Sequence, residues 1–332
     1  MATSGSVDYN ATRDNVIQEA LENLGQMQPG DTTSSSSFTD FSASVARRLN
    51  NIVKQYAHPT DGSAGIQIYH VKRAYLFLQK GQALYSLGPT TTATGETNKW
   101  ATSYGSTTIS ADEAAGQTVL TVVDNGTITN GDRIGILLDT GYMQWTTVNG
   151  VPTDNGATID VTVAVALTSA AAAGQRVYWY TPANQGRRPL EILSMLGRDY
   201  RNRDRQLSSM MMNDYEAITE KFTESTVTSY YYEQTLTDGT LRFNCAADDP
   251  TEVIVVTYRS VPEDLDAAGN DIDFDQVWIR PLGWALTLDV CGLFGQESRA
   301  AYFKTMRDEA LAIARNANPE TSNLYFQPGD SE

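Results

Sequence analysis

Cysteine and histidine are scarce in this chain of 332 residues, which contains two of each. Two cysteines cannot build the disulfide framework of a small secreted domain. Cys245 lies in a strand-like run and Cys291 in a helical one, so we expect two buried free thiols. His58 and His70 are 12 positions apart, which matches no zinc-binding spacing. We therefore expect structural or surface roles for both histidines.

Positive charge and long apolar runs are also limited. The chain has 24 Lys and Arg against 40 Asp and Glu, a formal net charge of −16. Tight binding to nucleic-acid phosphates depends on Lys and Arg, so it is not expected, although an acidic wall would let a duplex slide past. No stretch approaches the roughly 18 apolar residues of a membrane span, and the N-terminus lacks a secretory signal. The composition predicts a soluble globular protein without a membrane partner.

The motifs of common catalytic sites are missing as well. The sequence has no G-x-S-x-G elbow, no Walker A loop and no G-x-G-x-x-G fingerprint. We therefore expect no enzymatic activity and no cofactor. Glycoside hydrolysis needs two carboxylates that face each other, and sequence alone does not locate such a pair. A cell-wall or glycan hydrolase is the alternative to a structural protein.

The acidic link at residues 263–275 is the segment most similar to a cation site. Asp264, Asp266 and Asp275 fall at positions 1, 3 and 12 of the calcium-loop template. Ala268 occupies position 5, where a ligand is needed, and a strand rather than a helix comes before the link. These aspartates are weak candidates, so we favour a solvated connector and expect no metal.

Residues 101–181 have a composition nearly opposite to that of their flanks. They contain fifteen Thr and no Lys, His, Cys or Phe. Asn-Gly pairs, which favour tight hairpin turns, lie between the strand candidates. These candidates are 117–123, 133–139, 142–149, 157–167 and 175–181. The spacing predicts an inserted small antiparallel β barrel or sandwich. An alternative role is glycan binding, with stacking on aromatic residues that more often belong to a core. These aromatic residues are Trp100, Tyr142, Trp145, Tyr178 and Trp179.

The flanks combine helical stripes with short strand-like runs. Apolar residues recur at helical spacing in four stretches, 12–24, 39–56, 276–293 and 297–315. Residues 66–87 predict a hairpin, residues 190–200 a short helix, and residues 226–260 three strands. We therefore expect an α+β fold with a helical body, short β hairpins and the inserted β domain. The expected parts are residues 1–100, 101–181, 182–315 and an extended tail at 316–332.

Arginine is concentrated in one short region of the second flank. The residues are Arg187, Arg188, Arg198, Arg201, Arg203 and Arg205. Because Arg forms bidentate pairs with carboxylates, this run predicts a contact surface for an acidic neighbour. With a net charge of −16, another copy of this chain is such a neighbour. The alternative is a face with internal salt bridges.

The C-terminal tail contains a short apolar strip, Leu324, Tyr325 and Phe326, between polar and acidic residues. Such strips commonly dock on a partner by strand addition. We predict that this strip binds a partner protein.

Several segments of both flanks resemble a known family, the head-to-tail adaptor proteins of short-tailed bacteriophages. This family is also called tail accessory factors or packaged-DNA stabilisation proteins. The similar segments are DNVIQEALENLG at 14–25, ARRLNNIV at 46–53, GQALYSLG at 81–88, RPLEILSML at 188–196, YYYE at 230–233 and VVTY at 255–258. The acidic link and the two terminal helices also resemble the family.

The resemblance implies a ring, twelve-fold in this family, that docks under the portal protein at the head-tail junction of the virion. Such a ring is assembled in the bacterial cytoplasm, extends the DNA channel, retains packaged DNA and attaches tail nozzle or tail fibre proteins. Duplex DNA would pass through without sequence-specific binding. The tail strip would reach the portal. Compact family members have little in place of residues 101–181, so the resemblance assigns that insertion no role. A virion-associated hydrolase and a glycan-binding tail component are the alternatives.

Overall fold

The computed structural model describes residues 11–28, 30–33, 36–57, 70–88, 99–235, 238–260, 264–270 and 276–317. The chain divides into two compact units. We call Met1–Tyr69 together with Val261–Glu332 the helical unit, and His70–Ser260 the β unit. The structure is 29% helical and 34% strand, which confirms the predicted α+β class.

Four of the five described α-helices belong to the helical unit. The helices are α1 (Arg13–Asn23), α2 (Ser36–Ala57), α3 (Met212–Ala217), α4 (Ile279–Val290) and α5 (Ala300–Ala317). The four helical stripes in the sequence predicted α1, α2, α4 and α5, and these predictions are confirmed.

Local sequence sets both ends of α1. The Thr12 hydroxyl accepts the backbone N–H of Asn15, and the Asn15 side-chain oxygen accepts the backbone N–H of Thr12 at 3.0 Å. This reciprocal arrangement is a capping box, which satisfies two of the unpaired donors at a helix start. Gly25 follows the helix with φ +73°, a left-handed conformation that glycine adopts without strain.

One hydrophobic core joins the helices of this unit. It contains Leu21 from α1, Leu49 from α2, Leu286 from α4 and Phe303 from α5, and all four side chains are fully buried. By length and composition, Gln276–Phe294 could cross a membrane, contrary to our expectation that no such stretch exists. Half of its apolar window is buried, and core helices pass the same test. Because α4 lies within this segment, we interpret it as the central core element.

The β unit contains seventeen described strands in four sheets. They are β1 (His70–Phe77), β2 (Leu84–Leu87), β3 (Trp100–Ala101), β4 (Gly105–Thr108), β5 (Val119–Val123), β6 (Arg133–Leu137), β7 (Met143–Thr147), β8 (Thr153–Asp154), β9 (Thr158–Thr162), β10 (Arg176–Tyr180), β11 (Pro189–Arg198), β12 (Asp204–Ser209), β13 (Glu224–Ser225), β14 (Ser229–Gln234), β15 (Gly239–Phe243), β16 (Ala246–Ala247) and β17 (Val253–Ser260). The largest sheet has eight strands in the order β2-β15-β14-β12-β11-β17-β1-β3.

The eight-stranded sheet corrects two predictions about the flanks. The predicted helix at residues 190–200 is wrong, because Pro189–Arg198 forms β11, which pairs with β17 and β12. The predicted hairpin at 66–87 is also wrong, since β1 pairs with β17 and β3, whereas β2 pairs with β15. The predicted helical body therefore corresponds to the helical unit only, and all described strands lie in the β unit. The β unit is built around one large sheet.

The segment predicted as an insertion forms two antiparallel sheets in the β unit. One has the order β4-β10-β6-β7 and the other β5-β9-β8. Both sheets contribute to a single core, in which Leu120, Ile134, Val161 and Val177 are fully buried. Alternation of buried and partly exposed residues along β9 matches a strand with one face on this core.

An aromatic cluster around Phe77 fixes this segment to the eight-stranded sheet. Phe77, from β1, is fully buried, and its ring centroid lies 4.9 Å from that of Trp145 and 5.3 Å from that of Tyr178. The Tyr178 hydroxyl donates to the Thr251 carbonyl at 3.0 Å. Gln79 donates its side-chain amide to the Met143 carbonyl at 2.8 Å. Residues 101–181 and the eight-stranded sheet are therefore packed against each other within the β unit.

Candidate functional site

The β11–β12 hairpin carries four of the six arginines predicted to form an interface. Arg198 makes a bidentate pair with Asp204, at 2.7 and 2.8 Å. Arg203 pairs with Asp199 at 2.6 Å. These two arginines therefore have carboxylate partners within the same hairpin. For them, the alternative prediction of internal salt bridges is confirmed.

Three other members of the arginine run are held in different ways. Arg205 pairs with Glu252 at 2.6 Å and also donates to the Val227 carbonyl. Arg188 donates to the Thr235 carbonyl at 2.5 Å, and the backbone carbonyl of Arg187 accepts the indole N–H of Trp100 at 3.2 Å. Part of the arginine run thus stabilises the β unit itself.

Asp199 organises the tip of the hairpin. Its carboxylate accepts the backbone N–H groups of Arg201 at 2.8 Å and Arg203 at 2.9 Å. Asn202 has φ +60°, the one left-handed non-glycine conformation among the described residues. The backbone hydrogen bond from Arg203 holds the pKa of Asp199 below its usual value, with a further contribution from the Arg203 side chain. The side-chain hydrogen bond from Arg198 lowers the pKa of Asp204.

Tyr200 and Arg201 form the exposed part of this tip. The Arg201 guanidinium lies 5.0 Å from the centroid of the Tyr200 ring, and that of Arg176 from β10 lies 6.0 Å from it. Both distances fall within cation–π range. The Tyr200 side chain is 51% exposed. Among the described residues, Arg201 makes no ion pair, so its charge is available to a partner. We call residues 198–204 with Arg176 the hairpin-tip surface.

Other candidates from the sequence lie elsewhere. Asp264 pairs with Lys54 at 2.7 Å, and the backbone carbonyl of Asp266 accepts a hydrogen bond from Arg13 at 3.1 Å. In the part of the chain that the structure describes, no group of three His, Cys, Asp or Glu residues could hold a metal ion. Asp275 lies outside the described residues.

The apolar tail strip Leu324, Tyr325 and Phe326 also lies outside the described residues. The two cysteines are free and buried, as predicted.

One buried and one half-buried carboxylate, those of Glu252 and Glu19, have raised pKa values. Burial raises the pKa of Glu252, and the neighbouring Arg205 partly opposes this increase. Burial also raises the pKa of Glu19, and Arg280 opposes it. Glu252 forms an ion pair with Arg205 at 2.6 Å, so its carboxylate has a structural role in the β unit.

Three of the five aromatic residues considered as glycan platforms belong to the core. Trp100, Tyr178 and Trp179 are buried, and Trp179 donates its indole N–H to the Thr127 carbonyl at 3.3 Å. Tyr142 is exposed, and Trp145 is half-buried. Buried rings cannot stack on a ligand, so that role is wrong for the first three.

Trp145 lines an open groove that sequence reasoning missed. The groove has a volume of about 570 Å³. Its walls come from the β1–β2 connection, the residue before β3, strand β7 and the loop after α3. The residues that line it include Gln79, Lys80, Gln82, Lys99, Met143, Trp145 and Phe222. Because four separate segments contribute, no local sequence pattern could have indicated this groove.

The chain matches no protein-family model, and no curated protein matches it.

Proposed function

We propose that this protein is a structural head-to-tail adaptor of a bacteriophage virion, which assembles as a ring, dodecameric by resemblance, beneath the portal protein. In this role it extends the DNA channel, retains packaged DNA and attaches tail nozzle or tail fibre proteins. The sequence resemblance of the two flanks is the origin of this proposal. The hairpin-tip surface is the structural observation that supports it best.

The hairpin tip concentrates positive charge on a chain that is otherwise strongly acidic. Arg176 and Arg201 flank the exposed Tyr200 ring, whereas the whole chain has a net charge of −16. A cationic patch on an acidic molecule favours a contact between two different faces of neighbouring copies. Contacts of this head-to-tail kind close into a ring when the rotation between copies allows it.

The tip is also pre-organised for binding. Asp199 holds two backbone N–H groups and the Arg203 side chain, so that the turn bearing Arg201 is fixed before a partner arrives. Ordering a contact segment in advance lowers the entropic cost of association. Arginine and tyrosine are also the residue types enriched at the energetic centres of interfaces.

The excess of Asp and Glu over Lys and Arg suits a channel through which duplex DNA moves. Carboxylates repel phosphates, so a lumen with this charge would not retain the duplex by electrostatic binding. Retention of DNA would then depend on narrowing of the channel rather than on cationic contacts.

The mass of the purified protein, measured alone and with portal rings of the same virion, tests this proposal. We expect a large species of about twelve copies in the presence of the portal, the number that the resemblance implies for a closed ring. Cryo-electron microscopy of the virion neck should then place the chain beneath the portal. A chain that stays monomeric with the portal and is missing from the neck would refute the proposal.

A further inference from the structure

The groove beside Trp145 lies at the junction between the two ends of the eight-stranded sheet. Strands β2 and β3 are the first and last strands of that sheet, and Gln82 and Lys99 come shortly before them in the chain. The Lys99 ammonium donates to the Gln82 side-chain oxygen at 2.8 Å and so connects the two ends. A volume of about 570 Å³ is in the range of small-ligand sites.

The groove is cationic although the chain is acidic. Lys80 and Lys99 line it, and among the described residues no Asp or Glu does so. Lys80 has one acidic neighbour beyond the lining, Glu224, whose carboxylate lies 3.9 Å from the ammonium. Lys80 lies close to Gly141, where a Cβ would come within 3.6 Å of the Lys80 Cδ atom. The local charge therefore favours an anionic ligand.

Apolar surface accompanies these two cations. Phe222 is 76% exposed, although it is a large hydrophobic side chain, and Met143 and Trp145 line the same groove. The indole N–H of Trp145 is buried and has no hydrogen-bond partner among the described residues. An unsatisfied buried donor is costly, and an acceptor supplied by a ligand, reached after a small side-chain adjustment, would remove that cost.

Several backbone groups of the groove are already paired, which leaves fewer of them for an extended peptide. The N–H of Gly81 donates to the Ala247 carbonyl at 2.8 Å, and that of Gln82 donates to the Gln79 carbonyl at 3.1 Å. The carbonyl of Ala83 accepts the N–H of Phe243 at 2.9 Å. Peptides that bind by strand addition need free main-chain groups. Recognition here depends on side chains.

From this chemistry we propose that the groove binds an acidic oligosaccharide. The apolar face of a sugar ring packs on Trp145 and Phe222, and the ring's carboxylate or sulfate lies near Lys80 and Lys99. The side-chain amide of Gln79 keeps an oxygen acceptor for a sugar hydroxyl, since its bond to Met143 uses only the nitrogen. This inference does not depend on ring assembly or on the portal.

Isothermal titration of the full-length protein tests the inference. The probes are a hexamer of galacturonic acid and a neutral hexamer of glucose. We expect the acidic hexamer to bind and the neutral one to bind at least about tenfold more weakly, because the charge-assisted hydrogen bond to Lys80 is lost. Higher salt should weaken the acidic interaction.

Two surface substitutions and two matched controls localise the site. Lys80→Gln should lower the affinity about tenfold, which corresponds to loss of one charge-assisted hydrogen bond, and Phe222→Ser should lower it several-fold. Lys304→Gln and Tyr302→Ser remove an exposed lysine and an exposed aromatic ring of α5 outside the groove, and they should leave the affinity unchanged. Thermal unfolding of each variant verifies that the fold is retained.

Three results would overturn the inference. The first is an acidic hexamer that does not bind at millimolar concentration. The second is an equal loss of affinity in the control variants. The third is an acidic, aromatic peptide that binds with the same dependence on Lys80 and Phe222 while the saccharide does not.

Discussion

Arg205 and Glu252 form an ion pair of 2.6 Å that links β12 to the residue before β17. The Glu252 carboxylate also lies against Gly197 of β11, where an added Cβ would come within 2.2 Å of its oxygen. One carboxylate thus connects three neighbouring strands of the large sheet. Its burial raises its pKa, and Arg205 is the group that opposes this shift most.

Replacement of Arg205 by Met should therefore destabilise the protein. The substitution leaves the Glu252 carboxylate buried without its cation, and we expect a loss of about 1–3 kcal/mol at pH 7 in urea-induced unfolding. Arg242→Met is the matched control, because the Arg242–Glu233 pair is more exposed. It should change the free energy of unfolding by less than about 1 kcal/mol.

The loss of unfolding free energy in the Arg205→Met variant should depend on pH. The folded-state pKa of Glu252 lies above its unfolded value, so the folded state holds the proton more tightly. Stability then falls as pH rises from the unfolded pKa through the folded pKa, and it recovers at lower pH. We expect a smaller difference from the wild type near pH 4.5 than at pH 7, since about pH 4.5 is close to the ordinary pKa of a glutamate. An equal difference at both pH values would contradict this assignment.

Phe77→Ala should weaken the attachment of residues 101–181 to the large sheet. The ring is fully buried and packs against Trp145 and Tyr178, and deletion of a buried aromatic ring costs about 3–5 kcal/mol. Denaturant unfolding gives the free energy, and near-ultraviolet circular dichroism reports the aromatic cluster. Tyr142→Ala, at an exposed position, should change stability by no more than about 0.5 kcal/mol. Similar losses in both variants would refute the role of Phe77.

Arg201→Glu should reduce ring formation if the proposed adaptor function is correct. The substitution reverses the one hairpin arginine that makes no ion pair among the described residues, while the Arg198–Asp204 and Arg203–Asp199 pairs remain. Light scattering in the presence of portal rings should show loss of the large species. Arg47→Glu, at an exposed position of α2, is the control with the same change of charge. A ring that forms equally well after the substitution at Arg201 would mean that this side chain serves the monomer.

Removal of residues 318–332 should leave the fold intact and weaken attachment to the portal. The deletion takes away the strip of Leu324, Tyr325 and Phe326 but none of the residues in the helical core. Thermal unfolding should be unchanged within about 0.5 kcal/mol, whereas the truncated chain should co-sediment less with portal rings. Undiminished co-sedimentation would show that the portal contact lies elsewhere.

The sequence predicted the helices better than the sheet, for a physical reason. Helical stripes depend on residues three and four positions apart, so α1, α2, α4 and α5 were evident from local spacing. The apolar residues of β11 fit a short helix equally well, and its strand character depends on pairing with β17, which is distant in the sequence. The strands β1 and β2 were recognised as extended, but their partners are distant as well.

Contacts between residues that are distant in the sequence also limited the prediction of the candidate surfaces. Proximity in sequence could have indicated the pairs of Arg198 with Asp204 and of Arg203 with Asp199. The partner of Arg205 is 47 positions away and could not be identified locally. The groove beside Trp145 is still harder to predict from the sequence, because four separate segments build its walls.

The register of β1 and β17 places the backbone of His70 directly opposite that of Ser260. Opposed residues of antiparallel strands have Cα atoms about 5 Å apart, so the polypeptide comes into the β unit and leaves it at neighbouring points. The whole of His70–Ser260 therefore has the chain connections of a domain inserted into the sequence of the helical unit.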